Sequence, residues 1–302
     1  MTAIPTFMRA IRLHAPGGIG ALVEERVETP QPGPGEALVH VHAAAITRDE
    51  LDWPVDRLPA IPSYELSGTV AATGPGVEGL ATGDEVYALA DFGRDGAAAE
   101  YAVLAEALIA PKPTTLDHVE SASIPLAGLS AWQGLFDHGN LQAGERVLVH
   151  GAAGGVGSFA VQLAAWHGAH VIGAASADGV EIAGGLGAEE VVDTSATSFE
   201  EVVEPVDLVF DTSGGDLLAR SPAVLREGGR LVSVAEEHKG AGIYFVVEPN
   251  RGQLVELARL AEAGDLRPLV DSVYPLADAR AAFERSMVMG KRGKVVLGVV
   301  DE

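Results

Sequence analysis

Hydrophobic and polar positions along the chain follow two rhythms, and the change between them falls near residue 119. Upstream, short apolar runs at 8–13, 37–46 and 68–72 are broken by turn clusters at 30–35 and 73–76. Such spacing belongs to short strands joined by tight turns. Leu38-Val39-His40-Val41-His42 alternates as a half-buried strand does, although apolar neighbours blur it. This stretch predicts a β-rich unit, an antiparallel barrel or sandwich with functional loops.

Downstream, alanine-rich helical stretches alternate with strand-like runs at the intervals of βαβ units. Strands are predicted at 146–150, 170–174, 190–193, 207–211, 230–234 and 243–247. Between the first two, Val156, Ala160, Leu163 and Ala164 are spaced to face a sheet from one helix, which Gly168 ends. The fold class is therefore α/β with a doubly wound parallel sheet. The tail holds a helix over 251–263 with Leu254, Leu257, Ala258 and Ala261 on one face, a run at 269–274, a helix near 277–286 and a closing strand at 294–300. These last strands are expected to return to the N-terminal block. The domains predicted are a β-rich unit at 1–118, completed by 255–302, and an α/β unit at 119–254.

Composition narrows the function. With 302 residues, 47% of them hydrophobic, the chain has material for two cores. A net charge of −23 repels phosphate backbones and anionic lipid, so neither nucleic acid nor membrane is an expected partner. No cysteine is present, which excludes disulfides, Cys-ligated zinc and thiol catalysis and fits a cytoplasmic protein. No charge-free apolar run of about 18 residues stands out as a membrane span.

The chemistry begins at Gly151-Ala152-Ala153-Gly154-Gly155-Val156-Gly157, between a predicted strand and a predicted helix. Glycines there let the backbone turn tightly and approach a pyrophosphate, while the helix N-terminus supplies free N–H groups and a favourable dipole. The spacing is GxxGxxG and not the commoner GxGxxG. The flanking strand, helix and parallel strands make dinucleotide binding a better account than an ordinary tight turn. NAD binders place an acid about 20 residues on, at the ribose 2′-hydroxyl. Here the second strand ends Ala174-Ala175-Ser176, so NADP is favoured over NAD, with Ser176 a donor to the 2′-phosphate. No Lys or Arg lies in 169–219 to reinforce it.

Several motifs then resemble one family. They are Gly35-Glu36-Ala37-Leu38-Val39, Ile61-Pro62-Ser63-Tyr64-Glu65-Leu66-Ser67-Gly68, Ala98-Ala99-Glu100-Tyr101, Ile124-Pro125-Leu126-Ala127-Gly128-Leu129-Ser130-Ala131-Trp132, Asp211-Thr212-Ser213-Gly214-Gly215 and Arg292-Gly293-Lys294-Val295-Val296-Leu297. Over nearly the whole chain it resembles the zinc-independent quinone oxidoreductases of the medium-chain dehydrogenase/reductase superfamily. The resemblance implies a GroES-like catalytic domain made from both chain ends, a Rossmann domain between them, and an active site in the cleft. The zinc enzymes of that superfamily use Cys and His ligands. Here the Cys-equivalent region is Ala45-Ile46-Thr47 and the His-equivalent position is Tyr64, so no zinc is expected. His40 and His42 share a strand face and could pair on a metal, but satisfied strand histidines are the commoner case.

Without a Lewis acid, alcohol oxidation is hard and reduction of an activated acceptor is easier. A quinone or α,β-unsaturated carbonyl takes hydride at carbon and needs only hydrogen bonds for its oxyanion. The resemblance implies a catalytic set of Tyr64, a phenol donor; Thr47, in place of the family's asparagine; and Asp49, the acid of the family's Asn-Pro-x-Asp loop. It implies cofactor contacts from Ser130, Thr212, Gly214, Phe245, Val247 and Lys294. Trp53 is expected to shape the pocket, the 51–58 loop reads as short, and a homodimer is what the family suggests. Two other readings stay open: a pathway-specific enoyl reductase or tailoring enzyme, and a low-turnover NADPH-binding protein with a structural or redox-sensing role.

Overall fold

In the computed structural model, which describes residues 3–16, 18–54, 57–240 and 242–300, the chain divides into two units. One comprises Met1–Leu126, Pro249–Glu262 and Val270–Glu302, the other Ala127–Glu248 and Ala263–Leu269. Positions 55 and 56 of the 51–58 loop lie outside the described residues.

The first stretch supplies β1 (Phe7–Leu13), β2 (Leu22–Glu28), β3 (Glu36–Ile46), β4 (Glu65–Thr73), β5 (Glu85–Leu89), β6 (Tyr101–Ala105) and β7 (Ile109–Pro111). β1 and β2 pair antiparallel, and β3 pairs antiparallel with both β4 and β6. β3 ends in the small buried residues Ala43, Ala44 and Ala45. They let α1 (His118–Ala122) lie close over the sheet, with Ala122 in one core cluster with Ala43 and Ala45. Asp117 and Glu120 form a capping box that starts this helix, satisfying two backbone donors that a helix N-terminus leaves over. The packing of α1 on β3 and β4 ties residues 118–122 to the first unit. The boundary accordingly falls at 126/127, eight residues beyond the expected 118/119.

The second stretch begins with α2 (Pro125–Trp132), prolonged by π-helical turns at Gln133–His138. It continues through β8 (Arg146–His150), α3 (Gly155–Trp166), β9 (His170–Ala175), α4 (Val180–Gly185), β10 (Glu190–Asp193), β11 (Val206–Asp211), α5 (Gly215–Arg220), β12 (Leu225–Ser233) and β13 (Ile243–Tyr244). The strands lie parallel in the order β10-β9-β8-β11-β12-β13. That is a doubly wound sheet whose strand order reverses beside β8. Leu148, Ile172, Val209 and Leu231 from four neighbouring strands share one core with Phe199. The strand expected over 243–247 pairs only at Ile243 and Tyr244.

The returning stretch holds α6 (Arg251–Ala263), β14 (Val270–Pro275), α7 (Ala279–Met287) and β15 (Lys294–Gly298). α6 buries Leu254, Leu257, Leu260 and Ala261, and the Tyr87 hydroxyl donates to the Leu254 carbonyl. β15 runs parallel to β14 and antiparallel to β3, with Val295 opposite Ile46. Strands of the first and returning stretches therefore share one sheet, while β1 and β2 form a two-stranded sheet of their own. No helix among the described residues is long and apolar enough to cross a membrane.

Candidate active site

In the second unit, the glycine turn leaves β8 beside the end of β11, where Asp211 pairs in register with His150. In doubly wound sheets, ligands bind outside the carboxyl ends of the strands at this reversal. Gly151 has φ 72°, and a Cβ there would meet the Thr212 hydroxyl at 2.6 Å. A Cβ on Gly157 would lie 2.1 Å from the Gly151 carbonyl, so α3 packs against the turn only because that atom is missing. Gly154 caps α3 without a side chain, and the N–H groups of the first turn, at Gly155 and Val156, have no intrahelical acceptor. Ala152 is buried and ties the turn to β9 through its N–H and the Ala174 carbonyl, 3.0 Å apart. The geometry fits a pyrophosphate: a cradle that any side chain would fill, facing unpaired donors.

The neighbouring turn is held by Asp211. Its buried carboxylate accepts from the N–H of Ser213 and Gly214 and from the Ser233 hydroxyl, while burial raises its pKa. Thr212 donates to the His150 carbonyl at 2.7 Å, locking β11 to the start of the glycine turn. Ser176 is exposed at the end of β9, opening a short helical turn that contains the exposed Asp178. Phe245 and Val247 are buried with Val246 exposed between them. The segment past β13 is carried by Gln133, whose amide bridges both backbone groups of Glu248, donating at 2.8 Å and accepting at 3.0 Å. Gln133 lies one helical turn beyond the buried Ser130. Sequence reading passed over Gln133, because a lone glutamine in an apolar stretch carries no pattern.

In the first unit, Thr47 follows β3 and Lys294 opens β15, and the β3–β15 register makes them neighbours. The Lys294 ammonium donates to Thr47 Oγ1 at 3.3 Å and forms an ion pair with Glu65. Glu65 is fully buried, and its other oxygen accepts from the Leu126 N–H in the first turn of α2 at 2.9 Å. Lys294, which the resemblance gives as a cofactor contact, makes both of these contacts inside the first unit.

Sequence reading put the acid of the 46–50 loop at Asp49, but Asp49 is exposed and Glu50 is the buried carboxylate. Glu50 accepts from the Thr47 N–H at 3.1 Å and the Ser63 N–H at 3.0 Å. The short helical turn at Glu50–Asp52 swings this side chain inward, a conformation that spacing alone did not announce. Burial pushes the Glu50 carboxyl up to about 8, against the opposing pull of the Thr47 N–H and Lys294. Ser63 sits at φ 64°, in the left-handed region where glycine is the usual occupant, and the bond to Glu50 helps to hold it there. The next residue, Tyr64, is 4% exposed, stacked on Trp53 and edge-on to Phe92. Burial raises its pKa, so the phenol keeps its proton at neutral pH.

A tetrahedral zinc needs Cys, His or carboxylate donors converging on one point. Ala45-Ile46-Thr47 and Tyr64 occupy the expected ligand regions, and Glu65 is already engaged by Lys294 and a backbone N–H. His40 and His42 lie 5.3 Å apart ring to ring, and His42 is bonded to Thr69. Among the described residues, no three His, Cys, Asp or Glu side chains converge as a metal site. Thr47 and Tyr64 offer hydroxyls, not the thiolate, imidazole or carboxylate donors that zinc prefers.

One unit carries a glycine cradle at a strand-order reversal, and the other has a sheet shared by the first and returning stretches of the chain; together these features define a nicotinamide-dependent oxidoreductase. Comparison with known proteins agrees. Residues 33–114 match the alcohol dehydrogenase GroES-like domain family, and residues 186–297 the zinc-binding dehydrogenase family. A probable zinc-binding oxidoreductase, mitochondrial, of Arthroderma benhamiae is 31% identical over 99% of both chains. An NADPH-dependent alkenal/one oxidoreductase, chloroplastic, of Arabidopsis thaliana is 32% identical over 96% of this chain and 80% of its own. The solved quinone oxidoreductase from Coxiella burnetii superposes with a TM-score of 0.90 at 30% identity, covering 97% of this chain and 100% of that one. The chain belongs to the quinone oxidoreductase family of the medium-chain dehydrogenase/reductase superfamily, and it is an oxidoreductase.

Proposed function

We propose that this enzyme reduces a quinone or an α,β-unsaturated carbonyl with NADPH and without a metal. The observation that carries the reading is the set Thr47, Tyr64, Glu65 and Lys294. In the regions that the resemblance gives to zinc ligands, it offers two hydroxyls, of which Thr47 is backed by the buried Lys294–Glu65 pair. The similarity to an alkenal/one oxidoreductase supports the same acceptor class.

NADP, when bound in its reduced form, supplies a hydride, two electrons and one proton together. Gly151, Ala152, Gly154, Gly155, Val156 and Gly157 would hold its pyrophosphate, Thr212 and Gly214 its adenine ribose, and Ser176 its 2′-phosphate. Ser130, Phe245 and Val247 would position the nicotinamide. As the acceptor carbon gains hydride, its π pair moves to oxygen. Thr47 and Tyr64 then stabilise that anion by hydrogen bonds until water protonates it. The neutral end of β9 and the exposed Ser176 favour NADP over NAD. The net charge of −23 favours a small-molecule acceptor over nucleic acid or membrane. A cytoplasmic homodimer is the working state in this reading.

The test is oxidation of NADPH and NADH by a panel of small quinones and enones, with cofactor affinity measured separately. Turnover with at least one acceptor and a preference for NADPH is expected. Tight NADPH binding with no oxidation by any acceptor would instead establish a binding or sensing protein.

A further inference from the structure

Lys294 is 5% exposed, and its ammonium carries donors only. In the contact of 3.3 Å with Thr47, the threonine oxygen must therefore be the acceptor. A hydroxyl whose lone pair is taken has its hydrogen left to give, and among the described residues no acceptor takes it. Thr47 is half-buried, so this hydrogen has a way out of the cluster. The Thr47 backbone is fixed as well, through its N–H to Glu50. Glu65 holds Lys294 from the other side and is itself held by the Leu126 N–H. The chain of contacts runs Leu126 N–H to Glu65 to Lys294 to Thr47; the ammonium spends two of its three N–H groups inside this buried chain, and the half-buried threonine at its end keeps its hydroxyl hydrogen.

We propose that Lys294 is a positioning residue that makes Thr47 the hydrogen-bond donor to the substrate oxygen. By occupying the threonine lone pair, it sets the hydroxyl rotor and polarises the O–H bond toward the anion that forms as the acceptor is reduced. No proton leaves Thr47; the hydrogen bond strengthens as charge gathers on the substrate oxygen, and solvent supplies the final proton. The inference rests on the reductase reading and gives Lys294 a task distinct from phosphate binding.

A double-mutant cycle tests it, using the full-length enzyme, NADPH and a small naphthoquinone. Thr47→Val is expected to lower kcat about 10²-fold, the scale of losing one oxyanion donor. Lys294→Met is expected to lower it at least about 10-fold. The double variant should fall no more than about 2-fold below Thr47→Val, since Lys294 has nothing left to orient. Lys294→Arg should recover most of the rate, and the NADPH Kd should stay within about 2-fold throughout. Lys294→Met leaves Glu65 buried without its cation, a recognised cause of misfolding. The cycle is therefore repeated with Glu65→Gln added to Lys294→Met, where no lone charge remains.

Losses that multiply in the double variant would overturn the proposal. So would a Lys294→Met enzyme with normal kcat and an NADPH Kd raised 10-fold, which would make Lys294 a cofactor contact. Wild-type enzyme that reduces no quinone or enone brings down the reductase reading and this inference with it. Active wild type with independent losses brings down this inference alone.

Discussion

Tyr64 shows how one side chain is set by its surroundings. Its ring is clamped between Trp53 and Phe92, which fixes where the phenol points, and burial keeps it protonated. Replacing it by Phe preserves the aromatic packing and removes only the oxygen. If the phenol donates to the substrate, Tyr64→Phe lowers turnover by about 10²-fold or more, with the melting temperature and NADPH affinity nearly unchanged. Steady-state rates near those of wild type would make Tyr64 a pocket wall. Tyr64 and Thr47 are singled out by motif position alone. Glu50 was not, because two adjacent acids, Asp49 and Glu50, look alike until the backbone decides which one turns inward. Ser63 was equally silent, since serine does not advertise a left-handed backbone as glycine does.

Among the elements, the glycine turn and α3 were the most legible, because an apolar strand, a glycine-rich turn and an apolar helix buried on all sides from Gly157 to Ala164 each leave a local trace. The segment after β13 was not. It reads as a strand over 243–247 but pairs for only two residues, and Gln133 holds the remainder from the π-helical continuation of α2. Gln133→Leu keeps the volume and leaves the Glu248 N–H and carbonyl without their partner. A loss of about 1–3 kcal/mol in unfolding free energy is expected. Amide exchange at residues 245–248 should rise more than exchange across β8 or β11. Uniform exchange across the sheet would show that the bridge does not specifically restrain this segment.

For the whole molecule, burial makes stability depend on pH in two opposing ways. Glu50 has its pKa raised from 4.5 to about 8. Between those values the folded protein holds a proton that the unfolded chain releases, so stability falls as pH rises through the window. His150, buried beside Phe199 and Ser221, is lowered from 6.5 to about 4. There the unfolded chain binds the extra proton, and stability rises with pH between about 4 and 6.5. From pH 6.5 to 8 only Glu50 of the two contributes, at up to ~1.4 kcal/mol per pH unit. Glu50→Gln cannot titrate, so its urea midpoint should vary less between pH 6.5 and 8 than that of wild type. Equal slopes in the two proteins would mean that another group governs this window.

The sequence by itself determined what repeats or recurs locally: the βαβ alternation, the cradle of missing side chains at 151–157, the −23 charge and the absence of every thiol. These are properties of composition and short-range spacing, and periodicity transmits them without reference to distant residues. Tertiary structure decided what depends on residues far apart meeting. Lys294 lies 247 positions from Thr47, and only the antiparallel pairing of β15 with β3 brings its ammonium to that hydroxyl and to Glu65. A buried charge acquires its role from its partner, and the partner is chosen by the fold.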